Sequence, residues 1–174
     1  PSYVRAAAGL GRPVVADLGP PAGSTPGGGR HGLVIVGSHT ALTTAQVDGA
    51  VGAHGLDVIE LDASAVLDPA RADAHVAQVA ASVAASLGRQ ATLLRTSRVL
   101  ITEHPDLTPL EISRRVADAL TATVRQVAGL APPAWVVAKG GVTSHDVLAR
   151  AFGVRSAEVA GQAGARAGDF IRLS

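Results

Sequence analysis

The sequence predicts an α/β fold: a mostly parallel sheet with helices on both faces, in a three-layer Rossmann-like arrangement. Two observations carry this prediction. Short, β-branched apolar runs alternate with helical segments at least four times, and each run is continuously apolar instead of alternating with polar residues. The length of 174 residues suits one domain. We expect an N-terminal segment with a linker over residues 1–31 and the α/β domain over residues 32–174.

The N-terminal segment and the strands are predicted from local composition. A short helix is expected from Ser2 to Gly9, followed by an apolar stretch over 13–18 and a linker over 19–30 that is mostly Gly and Pro. Strands are expected where short apolar runs are bounded by Gly or polar residues. Their ranges are 32–37, 57–62, 91–96 and 134–138, with two further strands at 158–160 and 169–173.

Helices are predicted between the strands, at 43–54, at 68–87, from 108 onward and at 143–152. Thr43 or Thr44 can cap the first helix, and Asp68 can cap the second. Thr108 and Glu111 fit a capping box at the start of the third. That third helix has one apolar stripe, formed by Ile112, Val116, Ala119, Leu120, Val124 and Val127.

Composition excludes several classes of function. The net charge of +1 with neutral His gives no field that would favour nucleic acid or an anionic membrane. Aromatic residues, at 2%, are too few for a base-stacking platform, and no apolar run reaches the roughly 20 residues of a membrane span. The absence of Cys removes disulfides and thiol chemistry, and it fits a reducing, cytoplasmic location. The sequence begins at Pro1 and has no Met, so we expect a piece of a longer polypeptide.

Polar and glycine-rich chemistry is concentrated where the predicted strands end. Ligands of parallel α/β folds bind outside the carboxyl ends of the strands, so these exits are the expected binding region. The first exit, at residues 37–44, is rich in Gly and hydroxyl side chains. Its Ser38 hydroxyl lies just before a helix whose free N–H groups favour an anion.

The second exit is Arg95-Thr-Ser-Arg98. Two hydroxyls flanked by two guanidiniums suit a phosphate or a carboxylate. An alternative interpretation is structural: Arg95 lies at the surface, and Arg98 pairs with Glu103 or Asp106.

The third exit carries the strongest signal. Lys139 is the single Lys beside 14 Arg, and two glycines follow it. These glycines let the main chain approach a ligand without a Cβ clash, and the N–H groups of the next helix point at the same place. We therefore expect a cradle for the phosphates of a nucleotide. The expected binding residues are Ser38, Lys139, Gly140, Gly141, Val142 and Thr143.

Other motifs that would point to a different chemistry are absent. His39 and His145 lie at neighbouring exits and could meet, but no third ligand is in view, so no metal site is predicted. The Gly-x4-Gly-Lys-[Ser/Thr] loop and the Gly-x-Ser-x-Gly elbow do not occur. No Gly-x-Gly-x-x-Gly follows the first strand of the domain, which disfavours a dinucleotide oxidoreductase.

These segments, in this order, resemble the C-terminal nucleotide-binding domain of the four-carbon acid sugar kinase family. They cover most of residues 32–162 with family-like spacing. The matching stretches are 32–39 with 42–46, 96–98, 111–120, 138–146, and 153–154 through 161–162.

The resemblance implies an enzyme that uses ATP, as its Mg²⁺ complex, to phosphorylate a four-carbon sugar acid, a tetronate or 3-oxo-tetronate, at its terminal hydroxyl. It also implies an N-terminal domain, outside this chain, that binds the sugar acid and holds the catalytic base. Ser38 matches a serine implicated in ATP contact. Residues 140–143 match a glycine-rich nucleotide loop, in the Gly-Gly-Ile-Thr version to which Val142 belongs.

The sequence departs from the family pattern at two places. Residues 163–168 replace a Pro-Gly-Val-Pro-like turn, and the chain stops at Ser174 before a Gly-Asn-Phe-Gly or Gly-Asn-Val-Gly segment near the nucleotide. A second hypothesis therefore stays open: a non-catalytic α/β module that uses the same loops to bind a small anion for regulation or assembly. Ala-rich helix faces would also allow copies to pack as a homo-oligomer.

Overall fold

The structure is a computed structural model and describes residues 2–5, 31–155, 159–163 and 170–173. The apolar stretch predicted over 13–18 and the linker predicted over 19–30 lie outside these residues. In chain order the elements are β1 (Ser2–Arg5), β2 (Leu33–Val36), α1 (Ala41–His54), β3 (Asp57–Leu61), α2 (Ala63–Leu67), α3 (Ala72–Leu87), β4 (Thr92–Thr96), α4 (Pro109–Leu130), β5 (Val136–Lys139), α5 (Gly141–Asp146), a π-helical turn (Val147–Ala151), β6 (Val159–Ala163) and β7 (Phe170–Leu173).

The described strands form one sheet in the order β3-β4-β2-β5-β1-β7-β6. The first five strands in that order pair in parallel with one another. Strand β7 pairs antiparallel with β1 on one side and with β6 on the other. The predicted mostly parallel sheet is therefore confirmed, and β2 lies near its centre. Parallel strands of this kind need helices on their faces, because the connection between them has to cross over the sheet.

The two faces of β2 show how the layers are built. Leu33 and Ile35 face the larger core, which α3, α4 and the π-helical turn cover. Val36 faces the other side, where Val47 of α1 packs against it and against Leu93 of β4. Because successive side chains of a strand point to opposite faces, one apolar run serves both layers. This confirms helices on both sides of the sheet.

The long helix α4 follows the sequence prediction most closely. The backbone N–H of Glu111 donates to the Thr108 hydroxyl at 3.3 Å, and the backbone N–H of Thr108 donates to the Glu111 carboxylate at 2.8 Å. The Thr108 hydroxyl also donates to the Glu111 carboxylate at 2.6 Å, and this bond, followed by that of the Thr108 N–H, lowers the pKa of Glu111 below its usual value. The predicted stripe faces the core: Ile112, Leu120, Val124 and Val127 are buried, and Val116 and Ala119 pack against them.

Several predicted elements are wrong in detail, each for a physical reason. The helix expected from Ser2 to Gly9 is a strand over Ser2–Arg5, because pairing with β5 and β7 overrides a weak helical signal. Helix α1 begins two residues earlier than expected and is capped by Thr40, whose hydroxyl accepts from the Thr43 N–H at 3.2 Å. Neither Thr43 nor Thr44 is the cap.

The helix predicted over 68–87 begins only at Ala72, as α3, and its N-cap residue is Arg71, not Asp68, with no side-chain cap bond. Asp68 precedes a proline, and the residue before proline is restricted to extended backbone. Its observed φ of −85° and ψ of 112° fit that restriction, so no helix passes through it. The Asp68 carboxylate accepts from the Ala70 N–H at 2.9 Å in the turn before α3. The separate short helix α2 was not predicted, and the Asp62 carboxylate caps it by accepting from the Ser64 N–H at 2.8 Å.

The capping box of α4 makes a direct stability prediction. Replacing Thr108 with Ala removes a cap of the type that contributes about 1 kcal/mol, so T108A is expected to lower the free energy of unfolding by about that amount. T108S keeps the hydroxyl and is the matched control. Urea unfolding followed by circular dichroism measures both, and equal stability of the two variants would contradict the contribution of the cap.

Candidate nucleotide-binding site

Strand pairing brings the first and third strand exits together. Val36 of β2 is in register with Lys139 of β5 on one side and with Arg95 of β4 on the other. All three strands are parallel, so their carboxyl ends meet at the same edge of the sheet. The exits lie in direct contact there: a Cβ built on Gly37 would be 2.5 Å from the Thr143 hydroxyl oxygen.

The third exit turns sharply into a helix at a glycine. Gly140 has a φ of 110°, a backbone conformation that L side chains rarely adopt. Helix α5 therefore starts at Gly141, two residues before the predicted start, and no side chain among the described residues caps it. A Cβ on Gly141 would meet no described atom within 4 Å, so the main chain is accessible at this point.

Ser144 stabilises the turn from β5 into α5 at Gly140, which is called the Gly140 corner below. Its hydroxyl is buried and donates to the Ala138 carbonyl at 2.9 Å, while its N–H donates to the Gly140 carbonyl at 2.8 Å. The helix predicted as one element over 143–152 continues from α5 into the π-helical turn, where the Phe152 N–H bonds to the Val147 carbonyl at 3.0 Å. The side chain of Val142 lies outside the described part of the structure.

A chain of hydroxyls orients Ser38. Thr43 donates its hydroxyl proton to the Ser38 oxygen at 3.2 Å, and the Thr40 and Thr43 oxygens are 2.9 Å apart. A hydroxyl has one proton, so Thr43, which gives its proton to Ser38, must accept from Thr40. No hydrogen bond within the described residues uses the proton of Ser38. Ser38 is thereby set up as a donor toward an anion.

Arg98 fixes the position of Ser38 and does not form either of the pairs considered for it. Its guanidinium donates to the Ser38 carbonyl at 2.7 Å and to the Thr44 hydroxyl, and no ion pair joins it to Glu103 or Asp106 within the described residues. The planar fork suits this role, because two donors can reach two acceptors at once. The sequence did not reveal this contact.

The other charged residues near the exits have structural contacts. Arg95 is partly exposed, as the structural alternative expected, and it forms an ion pair with Glu60 at 3.1 Å. Arg150 of the π-helical turn contacts Asp118 of α4 at 2.7 Å and Asp146 at 3.8 Å. Lys139 is half-buried at the end of β5, next to Gly140.

His39 lies between the first and second exits. One ring nitrogen, Nε2, is 3.2 Å from the Thr96 hydroxyl oxygen, whereas Nδ1 is shielded from water and has no hydrogen-bond partner among the described residues. Burial lowers the pKa of this imidazole, and the nearby Arg98 charge lowers it further. No group of three or more metal-ligating side chains occurs within the described residues, His39 and His145 included.

The glycine-rich corner lies at the strand ends of a parallel sheet, where α/β domains bind their ligands. The chain belongs to the family described as the nucleotide-binding C-terminal domain, which matches residues 33–167. This match confirms the resemblance drawn from the sequence. No functionally curated protein matches the chain. Within the described residues, no helix is long and apolar enough to cross a membrane.

The environment of His39 predicts a pH dependence of stability. The folded state disfavours protonation of His39 by lowering its pKa, whereas the unfolded chain takes up a proton at the ordinary pKa of 6.5. Stability is therefore full above that pH and falls as the pH drops from there through the lowered folded pKa. We expect the melting temperature of H39Q to fall less than that of the natural protein between about pH 7.5 and about pH 5.5. H145Q is the control, and an equal fall in all three proteins would contradict this account.

The two bonds of Arg98 predict that Lys cannot replace it. R98K keeps the charge but loses the fork, so the free energy of unfolding is expected to fall by about 1–3 kcal/mol. R95K is the control, because its exposed pair with Glu60 contributes at most about 1 kcal/mol. Urea unfolding measures both changes, and R98K as stable as R95K would contradict the positioning role.

Proposed function

We propose that this chain binds ATP as its Mg²⁺ complex and is the nucleotide domain of a kinase that phosphorylates a four-carbon sugar acid, a tetronate or 3-oxo-tetronate. The observation that carries the proposal is the contact between the Ser38 exit and the Gly140 corner. The chain that makes this contact belongs to a nucleotide-binding family. The resemblance to four-carbon acid sugar kinases supplies the class of reaction and the expected terminal-hydroxyl acceptor.

The phosphates are proposed to lie against the main chain at Gly140, Gly141, Val142 and Thr143. Backbone N–H groups at an uncapped helix start offer donors without a side chain in the way. Ser38 adds a hydroxyl whose proton no described residue accepts, and Lys139 adds a positive charge at the same edge. Arg98 acts indirectly, because its guanidinium donates to the Ser38 carbonyl and to the Thr44 hydroxyl and so fixes the position of Ser38.

Phosphoryl transfer requires positioning and neutralisation of charge more than covalent chemistry from the protein. The proposed cradle supplies both for the donor side of the reaction. The acceptor hydroxyl and its base are assigned to an N-terminal domain, as the resemblance implies. We therefore expect residues 32–174 alone to bind nucleotide weakly and not to turn over.

The magnesium ion is proposed to come with ATP. The described residues contain no cluster of three carboxylate or imidazole ligands that would form a cage of their own. Mg²⁺ usually keeps several waters and binds largely through the phosphates, which fits this corner. The hydroxyls of Ser38 and Thr143 are placed to contact phosphate oxygens or the water shell of the ion. We also propose a cytoplasmic location, because a sequence without Cys fits a reducing compartment.

Removing one hydroxyl at the cradle tests nucleotide binding. S38A loses a donor to a charged group, which corresponds to roughly 10- to 100-fold weaker binding of MgATP by isothermal titration calorimetry. S82A removes an exposed hydroxyl on α3 and is the control. The full-length protein is used, and ADP release with four-carbon sugar acids measures transfer.

The outcomes separate the two hypotheses. Binding of MgATP that S38A weakens, together with transfer to a four-carbon acid, supports the kinase. Binding without transfer to any such acid favours the non-catalytic module. No binding at millimolar MgATP removes the nucleotide site at this corner.

A further inference from the structure

His39 lies beside the proposed phosphate site. It follows Ser38 directly in the chain, so the Cα atoms of the two residues are about 3.8 Å apart. Its side chain lines a cavity of about 130 Å³. Gly37 and Thr143, which meet where the first and third exits are in contact, line the same cavity. A phosphate bound at Ser38 would therefore place its negative charge close to the imidazole of His39.

Only one side of the His39 ring has a hydrogen-bond partner within the described chain. Nε2 is 3.2 Å from the hydroxyl oxygen of Thr96, which is buried at the end of β4. Nδ1 is shielded from water and has no partner among the described residues. Buried polar atoms are normally paired, because leaving one unpaired lowers stability. The unpaired nitrogen therefore indicates a partner that a ligand would supply.

The surroundings of His39 disfavour its protonated form before a ligand binds. Burial lowers the pKa of the imidazole, and the positive charge of Arg98 lowers it further. Lys139 is in register with Val36, whose side chain faces α1, so this second cation lies on the other face of the sheet. Within the described residues no carboxylate lines the cavity, since α2, α4 and the loop after β4 contribute apolar side chains and one hydroxyl, that of Ser113.

A bound polyphosphate would reverse this preference. Negative charge nearby favours the protonated form of a histidine, so the pKa of His39 would rise when the anion arrives. An imidazolium donates from both ring nitrogens. Nε2 can donate to the Thr96 oxygen, which is already its partner, and Nδ1 then carries a hydrogen that a phosphate oxygen can accept. A hydrogen bond between two charged groups is stronger than one between neutral groups.

From these observations we propose that His39 is a further binding residue of the phosphate site and that it takes up a proton from solvent when a polyphosphate binds. The inference rests on the proposed function, because it requires an anion at Ser38 and the Gly140 corner. A complex that holds a proton more tightly than the free protein is favoured by acid, so binding strengthens as the pH falls. His39 thus makes the affinity of the site for anions dependent on pH.

Isothermal titration calorimetry of the full-length protein measures this proton. MgATP and inorganic tripolyphosphate with Mg²⁺ are the probes, and titrating each in two buffers of different ionisation enthalpy at about pH 6.5 gives the number of protons taken up. H39Q keeps a side chain that can reach Thr96 but cannot be protonated, and H39N is a second neutral replacement. H54Q is the matched control, because His54 is exposed at the last residue of α1, about 20 Å from the start of that helix. Thermal melting checks that each variant is folded.

We expect the natural protein and H54Q to take up at least about half a proton more than H39Q or H39N with either probe. Protons exchanged by the probe itself cancel in this difference, because every protein binds the same probe. The affinity of the natural protein relative to that of H39Q should rise severalfold between about pH 7.5 and about pH 5.5. Equal proton uptake by the natural protein and H39Q would overturn the role of His39 and leave the phosphate corner standing. A natural protein that binds neither probe would overturn both.

Discussion

The parallel pairing of β5 with β2 is the constraint on which the candidate site depends. It sets Val36 beside Lys139, so β2 and β5 end at the same level of the sheet. Gly37 is needed at this point because any Cβ would be 2.5 Å from the Thr143 hydroxyl oxygen. Gly140 is needed because the main chain reverses there at a φ of 110°. A slip of one residue in the pairing would turn every side chain of β5 to the other face and separate these two glycines.

Most of the fold could be predicted from the sequence because its signals are local. The strands appear as short apolar runs, and α4 has both its capping box and its stripe in the sequence itself. The elements that could not be predicted depend on distant pairing or on one residue. Ser2–Arg5 becomes a strand through β5 and β7, which lie more than 100 residues away in the sequence. The helix expected to begin at Asp68 begins at Ala72, because Asp68 is extended and residues 68–71 form a turn before the helix.

The site was predictable to the extent that strand exits of parallel sheets meet at one edge. That rule places Ser38 near Gly140 without any knowledge of side chains. It does not say that Arg98, 60 residues further along the chain, holds the Ser38 carbonyl. Nor does it say that Ile112, Val116 and Leu120 line a cavity, because an apolar stripe looks the same whether it faces a packed core or an empty space. Only the packing of α4 against the loop after β4 distinguishes these two cases.

The hydroxyl chain from Thr40 through Thr43 to Ser38 has a direction, since each oxygen carries a single hydrogen. A phosphoryl oxygen, which only accepts, meets the outer end of this chain as it stands. A guest that only donates could reach the remaining lone pair of the Ser38 oxygen, but it would leave the Ser38 hydrogen without an acceptor. The loop thus favours a guest that accepts hydrogen bonds over one that only donates them, without a formal charge of its own.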